Sequence, residues 1–142
     1  MFMNAFDHLH PMLVHFPIAF FTGAFILQAG YFIFRKESMR QAALWVYILA
    51  VCFTPLTAWT GLTEEWKHRI NHPVLTIHKN SAFFVLAVSF ASIPVLWIFQ
   101  KKSRRTFDCA LMFFMVLLVA GTMLTAYNGG RLVYEYGVGV EQ

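Results

Sequence analysis

The chain has 142 residues, of which 58% are hydrophobic and 13% are charged, and its formal net charge is +4. A soluble domain of this size leaves too much of its surface in water to hide so many apolar side chains, and disordered chains are far more polar. The composition therefore excludes a water-soluble globular enzyme and indicates one integral membrane domain over residues 1–142.

Four stretches without any Asp, Glu, Lys or Arg follow one another along the chain, at residues 8–34, 41–63, 80–100 and 109–130. Each is long enough for a helix to cross the hydrocarbon core of a bilayer, which takes about 20 residues. They predict transmembrane helices over roughly 11–34, 41–62, 79–100 and 106–128. Four such helices with short connections predict an all-α, up-down four-helix bundle.

Basic residues cluster in two of the predicted connections and set the expected orientation. The seven are Arg35, Lys36, Arg40, Lys101, Lys102, Arg104 and Arg105. Basic loops stay in the cytoplasm, so both termini are predicted to be periplasmic, in a multi-pass protein of the bacterial inner membrane. The same rule accounts for the positive charge, and nucleic-acid binding is not expected. The first ten residues lack a basic region and a cleavage site, so no cleaved signal peptide is expected.

The two halves of the chain resemble each other. Residues 10–15 (HPMLVH) match residues 72–78 (HPVLTIH), and each segment is followed by Ala-Phe-Phe after three further residues. Residues 56–61 (LTAWTG) match residues 124–129 (LTAYNG). The matches predict two repeated hairpins related by a pseudo-twofold axis along the membrane normal. In this alignment His15 is equivalent to His78, and the two side chains are expected to face each other across the axis.

All six histidines fall on the predicted periplasmic side. His15 and His78 lie inside their helices, where a polar ring needs partners, and two facing imidazoles predict the axial ligands of one haem b. Thr57 and Thr125 are expected to accept the hydrogen bonds of the second ring nitrogens. Trp59 and Tyr127 are expected to wall the macrocycle, and Lys79 and Arg131 to pair with the haem propionates.

Three functional hypotheses stay open on the sequence. The first is a cytochrome-like electron-transfer protein, rather than an enzyme, working with the quinone pool or with a membrane or periplasmic redox protein. The second is a non-haem site for Zn, Cu or Fe, for binding or transport, to which His10 and His72 add secondary ligands. The third is a non-catalytic subunit of a membrane complex whose histidines only join helices. The sequence also leaves a homo-oligomer open.

The opening of the first helix resembles a bacterial family of predicted membrane proteins, the domain-of-unknown-function family 2231 (DUF2231). The resemblance is carried by residues 10–19 (HPMLVHFPIA), by residues 129–134 (GGRLVY) with 137–140 (GVGV), and by His78 at the start of the third helix. It implies a four-helix membrane protein. Some members are fused to modules that resemble cytochrome c, which implies redox work near haem.

Overall fold

The computed structural model describes residues 9–68 and 72–138, and its regular structure in these ranges is entirely α-helical. The helices are α1 (Leu9–Leu13), α2 (His15–Phe34), α3 (Glu37–His68), α4 (Pro73–Phe99) and α5 (Arg104–Tyr134). Four helical stretches are long and apolar enough to cross a membrane, the first of them made of α1 and α2 together. The predicted all-α class and the four spans are therefore confirmed.

The helices extend beyond the predicted spans. The helix predicted over 41–62 runs from Glu37 to His68, the one predicted over 79–100 begins at Pro73, and the one predicted over 106–128 runs from Arg104 to Tyr134. The predicted bounds followed the positions of charged residues. Charged residues limit the part of a helix that lies in the hydrocarbon core, and they do not limit the helix itself. Backbone hydrogen bonding continues into the interface, where charged side chains are solvated.

Local signals in the sequence begin and end these helices. His72 caps α4, because its side chain accepts a hydrogen bond from the amide of Val74. Ser103 caps α5 in the same way by accepting from the amide of Thr106. Both side chains satisfy amides that a helix start leaves unpaired. Arg35 ends α2 in the left-handed conformation, with a φ of 57°, and the chain turns into α3 within two residues.

The four long helices form an antiparallel bundle. α2 packs most extensively against α3 and α4 against α5, and the two pairs meet through contacts of α2 with α5 and of α3 with α4. The end at which α1 and α4 begin and α3 and α5 end is called the histidine end below, and the opposite end the basic end. All four long helices contribute to the core, which contains Phe21, Ala24, Ala43, Tyr47, Ala50, Val85, Leu96, Leu111, Met115 and Leu118.

The outer surface of the bundle is apolar, whereas its interior contains small and polar residues. Ile33, Trp45 and Phe113 expose more than half of their surface, but Gln28 and Ser92 are fully buried. A water-soluble bundle has the reverse distribution. In lipid the outside is as apolar as the acyl chains, and small or polar residues make the contacts between helices.

Polar contacts join the helices near the basic end. The Arg40 guanidinium donates from Nε to Asp108 Oδ1 at 2.6 Å, and Asp108 is almost completely buried. Gln28 Nε2 donates to the backbone oxygen of Asp108 at 3.4 Å, so the contact joins α2, α3 and α5. Tyr47 donates its hydroxyl to Ser92 Oγ at 2.6 Å and joins α3 to α4.

Candidate functional site

The first span contains one irregular turn between its two histidines. α1 ends at Leu13 and α2 begins at His15, with Val14 between them. Pro17 lacks an amide hydrogen, so the Leu13 carbonyl loses its helical hydrogen bond. The backbone still stays helical at Val14, whose amide donates to the carbonyl of His10 at 3.0 Å.

His15 does not lie where the sequence predicted it. Its side chain is exposed, whereas the ring of His10 is partly buried in the bundle. A helix turns about 100° per residue, so two positions five residues apart point about 140° away from each other and cannot both face the interior. The predicted opposition of His15 and His78 is therefore corrected to His10 and His78.

The ring of His10 is held against α3. Its Nδ1 lies 3.1 Å from the backbone oxygen of Thr57 and 3.2 Å from Oγ1 of Thr60. The Thr60 hydroxyl itself donates to the same Thr57 oxygen at 3.0 Å. The Thr60 hydrogen is therefore used, and both oxygens act as acceptors toward the imidazole.

The ring of His78 is held against α5 in the same manner. Its Nδ1 lies 2.9 Å from the backbone oxygen of Thr125. The ring is partly buried, on the second turn of α4. Each histidine thus bonds to the carbonyl of a threonine on the helix that follows its own span in the chain.

These contacts set the tautomer of both rings. A carbonyl oxygen can only accept, so Nδ1 carries the hydrogen in each ring, and the Nε2 of a neutral ring keeps its lone pair. Within residues 9–68 and 72–138, neither Nε2 has a hydrogen-bond partner. Both rings are therefore oriented, and among the described residues nothing bonds to either Nε2, which is how histidines that bind metals are usually held.

The two rings lie side by side. Their centres are 6.4 Å apart, and their planes are almost perpendicular, at 88°. His10 comes from the first span and His78 from the third, so the pair joins the two halves of the chain.

Two glycines provide the space for the rings. A Cβ built on Gly61 would lie 2.8 Å from Cε1 of His10, and a Cβ built on Gly129 would lie 3.1 Å from Cε1 of His78. The first distance is shorter than real Cβ contacts allow, and the second is tight. Glycine here serves the close approach of a ring to a helix backbone.

Thr57 and Thr125, predicted to support the histidines, are brought to them. Their backbone carbonyls make the contacts with the rings. Their hydroxyls donate instead to the carbonyls of Phe53 and Gly121 on their own helices. Hydroxyls inside helices commonly bond one turn back in this way.

The predicted walls of the cofactor site lie elsewhere. Trp59 and Tyr127 expose 64% and 65% of their surface. They lie on the outside of the bundle, where aromatic residues commonly contact the membrane interface.

The two predicted propionate partners are engaged in ion pairs. Lys79 Nζ lies 2.8 Å from Oε1 of Glu65. Arg131 Nε lies 2.9 Å from Oε2 of Glu135, and its NH2 group donates to the hydroxyl of Tyr136. Both cations belong to the histidine end, but each already has an anionic partner.

The four-histidine cluster predicted as a non-haem alternative is not assembled. His72 uses Nδ1 to cap α4 and packs its ring against Tyr136, with centres 4.1 Å apart, while His15 is exposed. Among the described residues there is no group of three or more His, Cys, Asp or Glu that could hold a metal ion. His8 lies outside the described residues, and the side chain of His68 is not described.

Comparison with known proteins establishes the family. A family model described as "Predicted membrane protein (DUF2231)" matches residues 7–142.

The chain belongs to the DUF2231 family.

The match covers nearly the whole chain, so the predicted family is confirmed. No curated protein and no solved structure matches the sequence. Membership in DUF2231 agrees with the four apolar helices of the bundle and describes a membrane protein.

A signal for the observed pair was present in the sequence. Thr57 and Thr125 are 68 residues apart, and so are Gly61 and Gly129. His10 and His78 have the same separation. Alignment of the first and third helices on their His-Pro motifs gives a different separation and selects His15. The separation found in the second and fourth helices selects His10.

Proposed function

We propose that this protein binds one haem b between His10 and His78 and transfers single electrons in the membrane. The observation that carries the proposal is the pair of rings, each fixed through Nδ1 to a backbone carbonyl and each with an Nε2 that has no hydrogen-bond partner among the described residues. Haem would supply an iron that is oxidised and reduced by one electron. His10 and His78 would hold it, and the carbonyls of Thr57 and Thr125 would orient the two rings.

The spacing of the rings supports a metal between them. A ring nitrogen lies about 1 Å from the ring centre and a metal–imidazole bond is about 2 Å, so rings on opposite sides of one metal have centres about 6 Å apart. Rings bound at a tetrahedral angle have centres about 5 Å apart by the same geometry. The observed 6.4 Å is close to the value for opposed rings, and it also falls in the range of an ordinary edge-to-face ring contact.

The number of ligands favours haem over a bare metal ion. A structural zinc site takes four protein ligands. Porphyrin itself supplies four nitrogens to the iron, so a haem site takes only one or two ligands from the protein. Two histidines without a third ligand among the described residues match this requirement.

The haem propionates would lie close to charged side chains at the histidine end. Lys79 and Arg131 lie there, each paired with a glutamate. A propionate would have to exchange with the carboxylate of Glu65 or Glu135 to reach them. These cations are therefore proposed as secondary contacts, and the axial pair as the main support.

The proposed site includes a pseudo-twofold relation between the halves of the chain. When the two halves are aligned with a separation of 68 residues, buried positions of α2 and α3 correspond to buried positions of α4 and α5. The corresponding pairs are 17 and 85, 21 and 89, 24 and 92, 28 and 96, 43 and 111, 47 and 115, 50 and 118, and 54 and 122. The hydroxyls of Thr54 and Thr122 also bond to equivalent carbonyls, those of Ala50 and Leu118. This agreement supports two repeated hairpins, each of which contributes one histidine with its own carbonyl partner.

The proposed orientation puts the site near the periplasm. Seven basic residues lie at or beside the connections of the basic end, which by the positive-inside rule is the cytoplasmic one. The histidine end and both termini then face the periplasm of a bacterial inner membrane. The proposed redox partners are the quinone pool and a membrane or periplasmic redox protein.

The test is an absorbance spectrum of the purified protein with matched variants. After expression with sufficient haem, we expect a reduced-minus-oxidised b-type spectrum with one haem per chain. His10→Ala and His78→Ala should each lose most of the bound haem, whereas His15→Ala should keep it, because His15 is exposed and belongs to no ring pair. Wild-type protein without a haem band would overturn the proposal, and so would loss of haem only in His15→Ala.

The ring contacts also favour a second candidate, in which the histidines only join helices. His10 and His78 bond to neighbouring helices, and their ring centres are 6.4 Å apart, which is the use expected of polar side chains between membrane helices. In that case His10→Ala and His78→Ala lower the thermal unfolding temperature while spectrum and metal content stay unchanged. Stoichiometric zinc, copper or iron without porphyrin would instead indicate a non-haem site completed by ligands outside the described residues.

A further inference from the structure

A groove on the outside of the bundle lies between α4 and α5 near the basic end. Its volume is about 620 Å³. Phe99, Phe113 and Phe114 line its apolar part, and Ser103, Arg105 and Thr106 line its polar part. From Arg105 to Phe113 the groove follows two turns of α5, or about 12 Å along the helix axis. The groove therefore has a cation at the membrane boundary and an apolar wall reaching toward the bilayer centre.

Arg105 and its neighbour Arg104 differ in their ion pairing among the described residues. Arg104 forms an ion pair with Glu37. In the part of the chain that the structure describes, Arg105 has no ion-pair or hydrogen-bond partner. A planar guanidinium with free donors binds phosphate well, because it can present two parallel hydrogen bonds.

The two lysines of the same connection are directed to aromatic rings outside the polar part of the groove. Lys101 Nζ lies 3.6 Å from the centre of the Trp97 ring, and Lys102 Nζ lies 5.6 Å from that of Phe99. Arg105, in the first turn of α5, is thus the cation that lines the groove.

From this arrangement we infer that the groove binds one anionic phospholipid of the surrounding bilayer. Its phosphate pairs with Arg105 and accepts the one hydroxyl hydrogen that the Ser103–Thr106 hydrogen bond leaves over. An acyl chain lies along Phe113 and Phe114. Charge complementarity selects an anionic headgroup, and the apolar wall in the hydrocarbon region selects a lipid. This inference is independent of the haem, which belongs to the opposite end.

The experiment counts lipids bound to the purified protein by native mass spectrometry. Phosphatidylglycerol or phosphatidylcholine is added to the protein in detergent. We expect the wild type to keep one phosphatidylglycerol several-fold more strongly than phosphatidylcholine, and Arg105→Gln to lose this preference. Lys36→Gln is the matched control, because it removes one charge at the same end without belonging to the groove. Equal losses in both variants would indicate general surface charge and overturn the specific site.

A second variant tests the apolar part of the groove without changing charge. Cys109 is exposed and lines the groove, so Cys109→Trp fills it from outside the core. We expect this variant to lose bound phosphatidylglycerol, with an unchanged unfolding temperature. Displacement of the lipid by inorganic phosphate alone would show that the groove is only an anion site, and the lipid inference would then be wrong. Retention of the lipid in both Arg105→Gln and Cys109→Trp would also overturn the inference.

Discussion

At the residue scale, the orientation of the two histidines depends on backbone oxygens that accept their hydrogen bonds and on glycines that leave space for their rings. The carbonyls of Thr57 and Thr125 fix the tautomers, and Gly61 and Gly129 leave the room that the rings occupy. None of these four residues contributes a functional group of its own side chain to the contact. Backbone position therefore determines the geometry of the pair.

Gly61→Ala is expected to disturb the site. The new Cβ would lie 2.8 Å from the His10 ring, which must move and weaken its bond to Thr57. We expect a loss of about 1–3 kcal/mol in the free energy of unfolding, as is usual when a packed contact is overfilled. Gly23→Ala is the control, since its Cβ meets only Val46 at 3.9 Å and alanine is the better helix former by up to about 1 kcal/mol. Thermal unfolding in detergent compares the two, and equal stability of both variants would contradict the role given to Gly61.

At the element scale, buried polar contacts hold the helices together. Arg40 on α3 pairs with Asp108 on α5, and the Asp108 side chain is only 3% exposed. A bilayer supplies no hydrophobic force between helices, because acyl chains are as apolar as leucine. Directional contacts such as this one select which helices lie side by side.

Asp108→Leu is expected to destabilise the bundle. It removes one of the two carboxylates beside the partly buried Arg40 guanidinium, whose NH1 group stays 3.3 Å from Glu37 Oε1. We therefore expect a loss of about 1–3 kcal/mol, less than the cost of about 3–5 kcal/mol for a buried charge left without any partner. The double variant with Arg40→Leu should recover a large part of the loss, because the partly buried guanidinium is then removed as well. Glu135→Gln serves as the surface control and should change stability by less than about 1 kcal/mol. A double variant no more stable than Asp108→Leu alone would argue against the buried pair.

The contact between α3 and α4 predicts a smaller effect. Tyr47→Phe removes the hydroxyl that donates to Ser92 Oγ, while Ser92 keeps its own bond to the carbonyl of Ser89. We expect a loss of about 0.5–1.5 kcal/mol, the usual net contribution of one hydrogen bond. Unfolding of Tyr47→Phe, Ser92→Ala and the double variant measures the coupling, and additive losses would show that the two side chains act separately.

At the scale of the whole molecule, the two ends of the bundle differ in chemistry. The basic end carries the positively charged connections at 35–36 and 100–103, and the histidine end carries the ring pair. A protein with such asymmetry is expected to insert in one orientation, because basic connections resist translocation.

Reporter fusions test this orientation. Alkaline phosphatase, which is active only in the periplasm, is expected to be active when fused after Gln142 and inactive when the fusion is made in the 100–103 connection. A fluorescent protein that matures only in the cytoplasm should give the opposite pattern. If phosphatase is active at the connection and inactive at the C-terminus, the proposed orientation is wrong.

The sequence by itself determined the class of the protein and its spans. Four uncharged stretches, each longer than the hydrocarbon thickness requires, leave no soluble alternative, and all four appear as helices. The family was also readable, since residues 10–19 carry a distinctive motif and the family model covers 7–142. These conclusions depend only on local composition and order, which packing does not change.

Only the tertiary structure decided which histidines meet. His10 and His15 have similar surroundings in the sequence, and the turn of about 100° per residue along a backbone that stays helical at Val14 puts them on different faces. The carbonyls that orient the rings and the partner of Asp108 come from helices distant in the chain. Contacts between such distant residues depend on how each helix is rotated about its axis and how deeply it lies in the membrane. Hydropathy and charge patterns specify neither the rotation nor the exact depth.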